Sequence, residues 1–379
     1  MDITVNQSTL ARAWRLLSRA TPTRSTLPIL QTVRLDAQTG RLNLATTDLE
    51  LGMTTSLVAN VSDPGSVCVP ARLFGESVAQ LPNEPVRLSL NPEGHRLRLS
   101  CGRFIANIAT MDAAEFPVLP PPEAARALTL EAGRLRDAIA RVASAAARDD
   151  TRPILTTVLF DFGQDGLTLA AADGFRLARA RLAVVSASSQ QLLVPARAVT
   201  ELGRILGDAE SVRLVPTAES RGAYFVAGET TLFARLIEGR FPDVERVIPQ
   251  DGKTHVTIET TSFRQAIRVA GLFGGSGDAR PVVLDAAPGR LYLRARGDET
   301  GDAEADLSAE LEDDPQSIAV NTRLLADVID TIDAALVRLS WSSPQTPIVL
   351  REVGREEAAD LVVIMPLADP TLVRRPAAA

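Results

Sequence analysis

Pro28-Ile29-Leu30-Gln31-Thr32-Val33-Arg34-Leu35-Asp36 returns as Pro153-Ile154-Leu155-Thr156-Thr157-Val158-Leu159-Phe160-Asp161, an offset of 125 residues. Val69-Pro70-Ala71-Arg72 returns at the same offset as Val194-Pro195-Ala196-Arg197, and Phe116-Pro117 returns as Phe241-Pro242. Asp48 maps on Asp173, and a further step of 125 reaches Asp298. Separate matches at one gapless offset point to duplication of a whole domain, because solenoid repeats run only ~20–50 residues. A third copy is more diverged. Val320-Asn321-Thr322-Arg323 stands where Val-Pro-Ala-Arg stood, Pro281-Val282-Val283-Leu284-Asp285 echoes the opening segment, and Met365-Pro366 falls near the third Phe-Pro. The chain reads as three homologous domains, 1–122, 123–250 and 251–379, the last with a short C-terminal tail.

Each domain has one internal grammar. A short strand opens it, at Ile3–Val5, Leu128–Leu130 and Val256–Ile258. A helix follows, whose apolar positions are Leu10, Trp14 and Leu17, then Leu135, Ile139 and Val142, then Phe263, Ile267 and Ala270. That spacing is a helical stripe. Alternating strands come next, such as Arg41-Leu42-Asn43-Leu44 and Gly166-Leu167-Thr168-Leu169. A second helix starts after Val-Pro-Ala-Arg, where proline suits a helix start. In the third copy Asn321 offers the cap instead. The expected class is α+β, with helices on one face and mainly antiparallel sheet on the other.

Composition narrows the function. The 379 residues are 45% hydrophobic and 23% charged, ordinary for a globular protein, with only 4% aromatics. No apolar run approaches the ~18–20 residues of a membrane span, and the N-terminus lacks a signal-peptide pattern, so a cytoplasmic protein is expected. Cys68 and Cys101 read as buried thiols rather than a disulfide. The net charge of −7 argues against a plain DNA-binding module, but positive charge concentrated on one surface remains compatible with it. That charge is almost all arginine, Lys253 being the one lysine.

Catalytic chemistry is missing from the sequence. His95 and His255 have no metal-ligand partners at suitable spacing, and both sit in turn compositions that predict solvated loops. Gly271-Leu272-Phe273-Gly274-Gly275-Ser276-Gly277 lacks the Gly-Lys-Ser/Thr ending of a phosphate loop. Asp48, Asp173 and Asp298 are read as turn formers that bond their own backbone, and the pairs Glu356-Glu357 and Asp313-Asp314 as solvated. No enzyme, cofactor or metal is expected. The rivals are a monomeric repeat-built scaffold and an enzyme with a site at a domain junction. The second has no nucleophile–base pair to support it.

Six stretches in order carry a resemblance: Ser25-Thr26-Leu27-Pro28-Ile29-Leu30, Thr46-Thr47-Asp48-Leu49-Glu50, Val69-Pro70-Ala71-Arg72, Ala172-Asp173-Gly174-Phe175-Arg176-Leu177, Gly239-Arg240-Phe241-Pro242-Asp243 and Val363-Ile364-Met365-Pro366-Leu367. Together they resemble the bacterial beta sliding clamps, the processivity subunits of DNA polymerase III. The resemblance implies three clamp domains per chain and a head-to-tail homodimeric ring, with helices lining the pore and antiparallel sheets outside. It implies a non-catalytic DNA clamp that encircles duplex DNA without reading sequence and tethers polymerases and the clamp loader through their short peptide motifs.

It also implies sites. Ile108, Leu272 and Phe273 match dimer-interface positions. Arg24, Arg72, Arg152, Arg197 and Arg323 would face DNA, joined by helix arginines such as Arg12, Arg15, Arg19, Arg134, Arg136, Arg141, Arg148, Arg204, Arg264 and Arg268. A partner-peptide pocket would take Leu155, Gly174, Phe175, Arg176, Leu177 and Pro242 from the second domain. Arg246, Val247, Val363, Met365, Pro366 and Leu367 would complete it. Phe175 and Ala172 depart from the family's usual histidine and threonine, which implies a more apolar pocket. The segment after Leu367 has the composition of a disordered tail.

Overall fold

Strict alternation in segments such as Arg41-Leu42-Asn43-Leu44 puts every second side chain on one face. In a computed structural model of the chain these segments become strands whose alternate residues are buried. The structure describes residues 1–91, 95–117, 127–164, 166–184, 189–207, 209–217, 221–249, 252–273, 280–297, 301–354 and 360–367. Asp298, Glu356-Glu357, the Gly274–Gly277 stretch, the tail after Leu367 and both expected domain boundaries lie outside the described residues. The chain falls into two compact units, Met1–Arg136 with Arg197–Ile237, and Asp137–Ala196 with Glu238–Ala379.

The first unit holds two sheets. One runs in the order β5 (Asn60–Asp63), β1 (Asp2–Asn6), β7 (Pro85–Leu90), β8 (Arg96–Cys101), β9 (Phe104–Ala109). The other runs β10 (Leu128–Glu131), β15 (Ser211–Pro216), β16 (Gly222–Ala227), β17 (Thr230–Arg235), β4 (Leu51–Val58), β3 (Arg41–Thr47), β2 (Thr32–Gln38), β6 (Gly65–Pro70). All the ladders are antiparallel, and β17 of the second repeat pairs with β4 of the first. Helix α1 (Gln7–Leu17) buries Leu10, Ala13 and Leu17 and leaves Arg12 and Arg15 exposed, as is Arg19 in the 3-10 turn Ser18–Ala20 that follows. Helix α2 (Ala71–Gln80) starts after Pro70 and buries Phe74, Gly75 and Val78.

Trp14, expected among the core positions of α1, is half-buried instead and lies against α2. Its ring meets Phe74 edge-on at 6.2 Å. A Cβ built on Gly75 would fall inside the Trp14 ring, so glycine here is what lets the two helices approach. Gly75→Ala gains about 1 kcal/mol of helix propensity. Overpacking against a bulky ring costs about 1–3 kcal/mol, so a net destabilisation is expected. Urea unfolding should show the midpoint falling for Gly75→Ala and recovering when Trp14→Leu is added. A midpoint at or above that of the unaltered chain would contradict this packing.

The second unit holds one long sheet. Its order is β14 (Gln190–Pro195), β11 (Thr157–Gly163), β12 (Gly166–Ala172), β13 (Arg176–Leu182), β25 (Leu361–Ile364), β24 (Ile348–Glu352), β23 (Leu336–Trp341), β18 (Thr254–Glu259), β21 (Gly301–Asp313), β20 (Arg290–Gly297), β19 (Pro281–Ala287), β22 (Ser317–Asn321). Here β13 of the second repeat pairs with β25 of the third, as β4 pairs with β17. Helix α5 (Thr260–Phe273) buries Phe263, Ala266, Ile267 and Ala270. Helix α6 (Thr322–Ile329) is capped by the Asn321 side chain, which accepts from the Arg323 N–H. The second repeat also forms helices α3 (Ala132–Val142) and α4 (Ala196–Leu206), and α4 buries Val199, Leu202 and Leu206.

Both cysteines are free and buried, and burial raises both thiol pKa values. His255 corrects an expectation. It lies in β18 rather than in a solvated loop, half-buried, with Nδ1 2.8 Å from the Ser340 hydroxyl. The turn-like Asp251-Gly252-Lys253 precedes the strand, and ladder pairing on both sides decides where the strand begins.

Candidate functional site

Asp173 explains its recurrence. Its Oδ1 accepts from the Phe175 N–H at 2.8 Å and from the Arg176 N–H at 2.9 Å, folding the chain back between β12 and β13. Asp48 does the same in the first unit, accepting from Glu50 and Leu51 at 3.0 and 2.7 Å. Gly174 sits within its turn at φ +94°, where a side chain is strained; its counterpart Leu49 bears that strain at φ +78°.

Beside the Asp173 turn the second unit opens a cleft of about 330 Å³. The 3-10 turn Pro153–Thr156 supplies Leu155, the end of β12 supplies Ala172, and β13 supplies Arg176 and Leu177. Phe241, Pro242 and Asp243, with Val244 of the 3-10 turn Val244–Arg246 and Val247 after it, form another wall. Val363 of β25 and Met365 beyond it close the site. The strand pair that builds this wall has Leu177 opposite Val363, and the Met365 N–H donates to the Phe175 carbonyl at 2.8 Å. An apolar lining with few polar groups suits a peptide segment carrying apolar anchors.

Of the pocket candidates, Leu155, Gly174, Arg176, Leu177, Pro242, Val247, Val363 and Met365 line this one cleft. Four other pocket candidates do not line the cleft. Phe175 points outward, 65% exposed. Arg246 is exposed and paired with Asp243 at 3.0 Å. Pro366 bridges to Val320, and the Leu367 N–H donates to the Ala319 carbonyl at 2.8 Å. Arg176 is not an open rim cation. It is buried, with Nε 3.1 Å from Asp173 and Nη1 2.9 Å from Asp327. Arg152, expected to face DNA, lies on the cleft wall; a Cβ on Gly174 would meet its guanidinium at 3.6 Å. Sequence reasoning left out Phe241, Asp243 and Val244 as lining residues, although the repeated Phe-Pro pair marked the spot.

Other arginines divide. Arg24 and Arg323 are exposed. Arg72 is exposed and pairs with Glu76 one turn on, at 2.8 Å. Arg197 donates to Asp48 at 2.6 Å and to the Arg19 carbonyl at 3.1 Å. Arg264 caps the end of α6 by donating to the Ile329 and Ile332 carbonyls, and Arg268 pairs with Asp330 at 2.8 Å.

Two edges stand out. Strand β9 ends its sheet with Phe104 and Ile105 more than half exposed. Ile108, expected at an interface, is only 2% exposed and lies opposite Leu97 of β8. In the second unit, the Gly301–Ser308 half of β21 pairs with β20 alone among the described residues. It exposes Asp302 and carries Glu304 and Asp306. A second cleft, of about 310 Å³, lies between α5 and this strand, lined by Ala266, Val269, Leu293, Ala303 and Leu307 among others. Leu272 is 74% exposed nearby in sequence and Phe273 is half-buried.

Asp313 lies 3.7 Å from His255 Nε2, but the Ser340 hydroxyl on the other side of the ring is buried within β23. Among the described residues no three histidine, cysteine or carboxylate side chains gather as a metal site. No described helix is long and apolar enough to cross a membrane.

Three family models match the chain in succession. They are the N-terminal domain of the DNA polymerase III beta subunit over residues 1–120, its central domain over 129–243 and its C-terminal domain over 245–367. The chain belongs to the beta sliding clamp family. It is 31% identical over 371 residues to the beta sliding clamp of Synechococcus elongatus, covering 96% of this chain and 98% of that one. Among solved structures it is similar to the DNA polymerase sliding clamp of Bacillus subtilis, with a TM-score of 0.90, 27% identity and 97% and 99% of the two chains covered. It is similar as well to a sliding clamp of Pseudomonas aeruginosa bound to griselimycin, with a TM-score of 0.89, 27% identity and 97% and 99% covered. The three clamp domains expected from the repeats are thus present. The function is that of a DNA sliding clamp, a processivity subunit and not a catalyst.

Proposed function

We propose that two copies of this chain close head to tail around duplex DNA, and that the cleft beside the Asp173 turn holds apolar peptide segments of polymerases and of the clamp loader. The apolar cleft between β13, β25 and the Val244–Arg246 turn carries the client-binding half of this reading. Its polar groups are few, and its backbone frame is fixed by the Asp173 and Met365 hydrogen bonds. Griselimycin, bound by the similar Pseudomonas aeruginosa clamp, is proposed to take the same cleft here.

The unpaired edges support closure between copies. Exposed Phe104 and Ile105 on β9 are the apolar anchors, and the α5–β21 cleft is their seat on the next copy. Arg96, Arg98 and Arg103 flank β9, while Asp302, Glu304 and Asp306 stand on the open half of β21. Opposite charges on the two edges favour that pairing and disfavour like-with-like contacts. A heterologous contact of this kind closes into a ring when the rotation permits. Arg24, Arg72 and Arg323, with the exposed face of α1, are proposed to meet DNA phosphates through weak, interchangeable contacts.

The test of the cleft is primer extension with the cognate polymerase and loader. Met365→Asp keeps the backbone bond to Phe175 but puts a carboxylate on the apolar wall. Client affinity should fall about 100-fold, the size of a lost hot spot. Long products should disappear, because both the loader and the polymerase lose their seat in the cleft. Unaltered product lengths with Met365→Asp would end the assignment of the cleft.

A further inference from the structure

The two repeat junctions solve the same problem with opposite charge. In the first unit, Asp48 uses Oδ1 for its own turn and receives Arg197 of α4 on Oδ2, at 2.6 Å. The residue that would follow the pattern of Arg176 is Leu51, so the turn itself offers no cation. In the second unit, Asp173 uses Oδ1 for its turn in the same way. The cation now comes from the turn: Arg176 gives Nε to Asp173 at 3.1 Å and Nη1 to Asp327 of α6 at 2.9 Å.

Position within the helix makes the reversal explicit. Arg197 and Arg323 are repeat equivalents, four residues ahead of Glu201 and Asp327 respectively. Glu201 in α4 turns to Arg204 of its own helix. Asp327 in α6 reaches out to Arg176 instead. The α6 carboxylate is thus directed to the junction beside the peptide cleft.

We propose that Asp327 is a positioning residue of the peptide cleft, acting through Arg176. Asp327 does not line the cleft, whereas Arg176 does. Arg176 is buried, so its guanidinium needs both carboxylates to fix its orientation. With that orientation set, Asp173 holds the turn, Gly174 keeps its wall open, and the Phe175 carbonyl meets the Met365 N–H. The bridge thus ties α6 to both walls that a ligand must find already in place. Preformed walls cut the ordering cost of binding, so loosening the bridge weakens binding without removing a ligand contact.

The inference rests on the cleft reading above, and titration calorimetry with griselimycin and the full chain tests it. Asp327→Asn should weaken binding about tenfold, the scale of a lost hydrogen bond to a charged group. Asp327→Glu, which keeps the charge within reach, should stay within about threefold. In an Arg176→Leu background, which copies Leu51 of the first repeat, Asp327→Asn should change binding by less than about twofold, because the cycle has lost its shared partner. A purely structural role would lower the melting temperature of Asp327→Asn and leave the griselimycin affinity of the folded chain unchanged. Binding within twofold of the unaltered chain for Asp327→Asn, or a full tenfold loss in the Arg176→Leu background, would overturn the inference, as would a Glu variant as weak as the Asn variant. Failure of the unaltered chain to bind griselimycin would overturn the cleft reading, and this inference with it.

Discussion

A chain carrying Ile105→Asp is expected to fold normally and to behave in solution as a single copy. Ile105 is 58% exposed on the edge strand β9, so the carboxylate stays in water while the chain is alone. In the closed pair it would be pressed against the apolar cleft lined by Ala266, Val269 and Leu307. Losing a buried isoleucine there forfeits about 1.5–3 kcal/mol. Desolvating an unpaired carboxylate costs several kcal/mol more. At about 1.4 kcal/mol per decade, about 4 kcal/mol already weakens one contact roughly a thousandfold. A ring of two copies contains that contact twice, so the substitution acts twice. Light scattering at micromolar concentration should report the 40.4 kDa mass of one chain for the variant and twice that for the unaltered protein. Circular dichroism should be the same for both. A variant that still runs at twice the chain mass would show that β9 is not the joining edge.

Much of the fold could be read from periodicity. The offset of 125 residues marked the domain unit, and the apolar stripes of α1 and α5 found the buried faces, because these are local signals that burial enforces. The aspartate turns were legible for the same reason: Asp48 and Asp173 bond backbone groups two and three residues away. Long-range choices were not. Nothing local in β25 says that it will pair with β13, nor in β17 that it will pair with β4. Adjoining apolar residues hid the phase of β9. Phe104-Ile105 and Ile108 do not alternate, and only the pairing of Leu97 with Ile108 sends Ile108 inward. Within the cleft, the apolar lining followed from the family's motif, but the state of each arginine did not. Arg176 looked like an open cation and is buried between two carboxylates, while Arg152, assigned to DNA, stands on the cleft wall. A charged residue's partner is set by tertiary packing, which sequence spacing alone does not report.

A sliding clamp stays on DNA by enclosing it rather than by gripping it. A protein held by phosphate contacts releases counterions on binding, so its hold falls steeply as salt rises. The net charge of −7 leaves little scope for a strong grip, and arginines such as Arg72 and Arg197 are already paired, with Glu76 and Asp48 respectively. A closed ring on a circle has no end to leave by, so its retention is set by how often the ring opens. The decisive measurement is the amount of protein that stays on nicked circular DNA after loading, in about 0.5 M salt, before and after one restriction cut. Enclosure predicts that the protein persists on the intact circle and runs off within the mixing time once the circle is linear. Equal loss from the circle and the linear form, or equal retention on both, would contradict it.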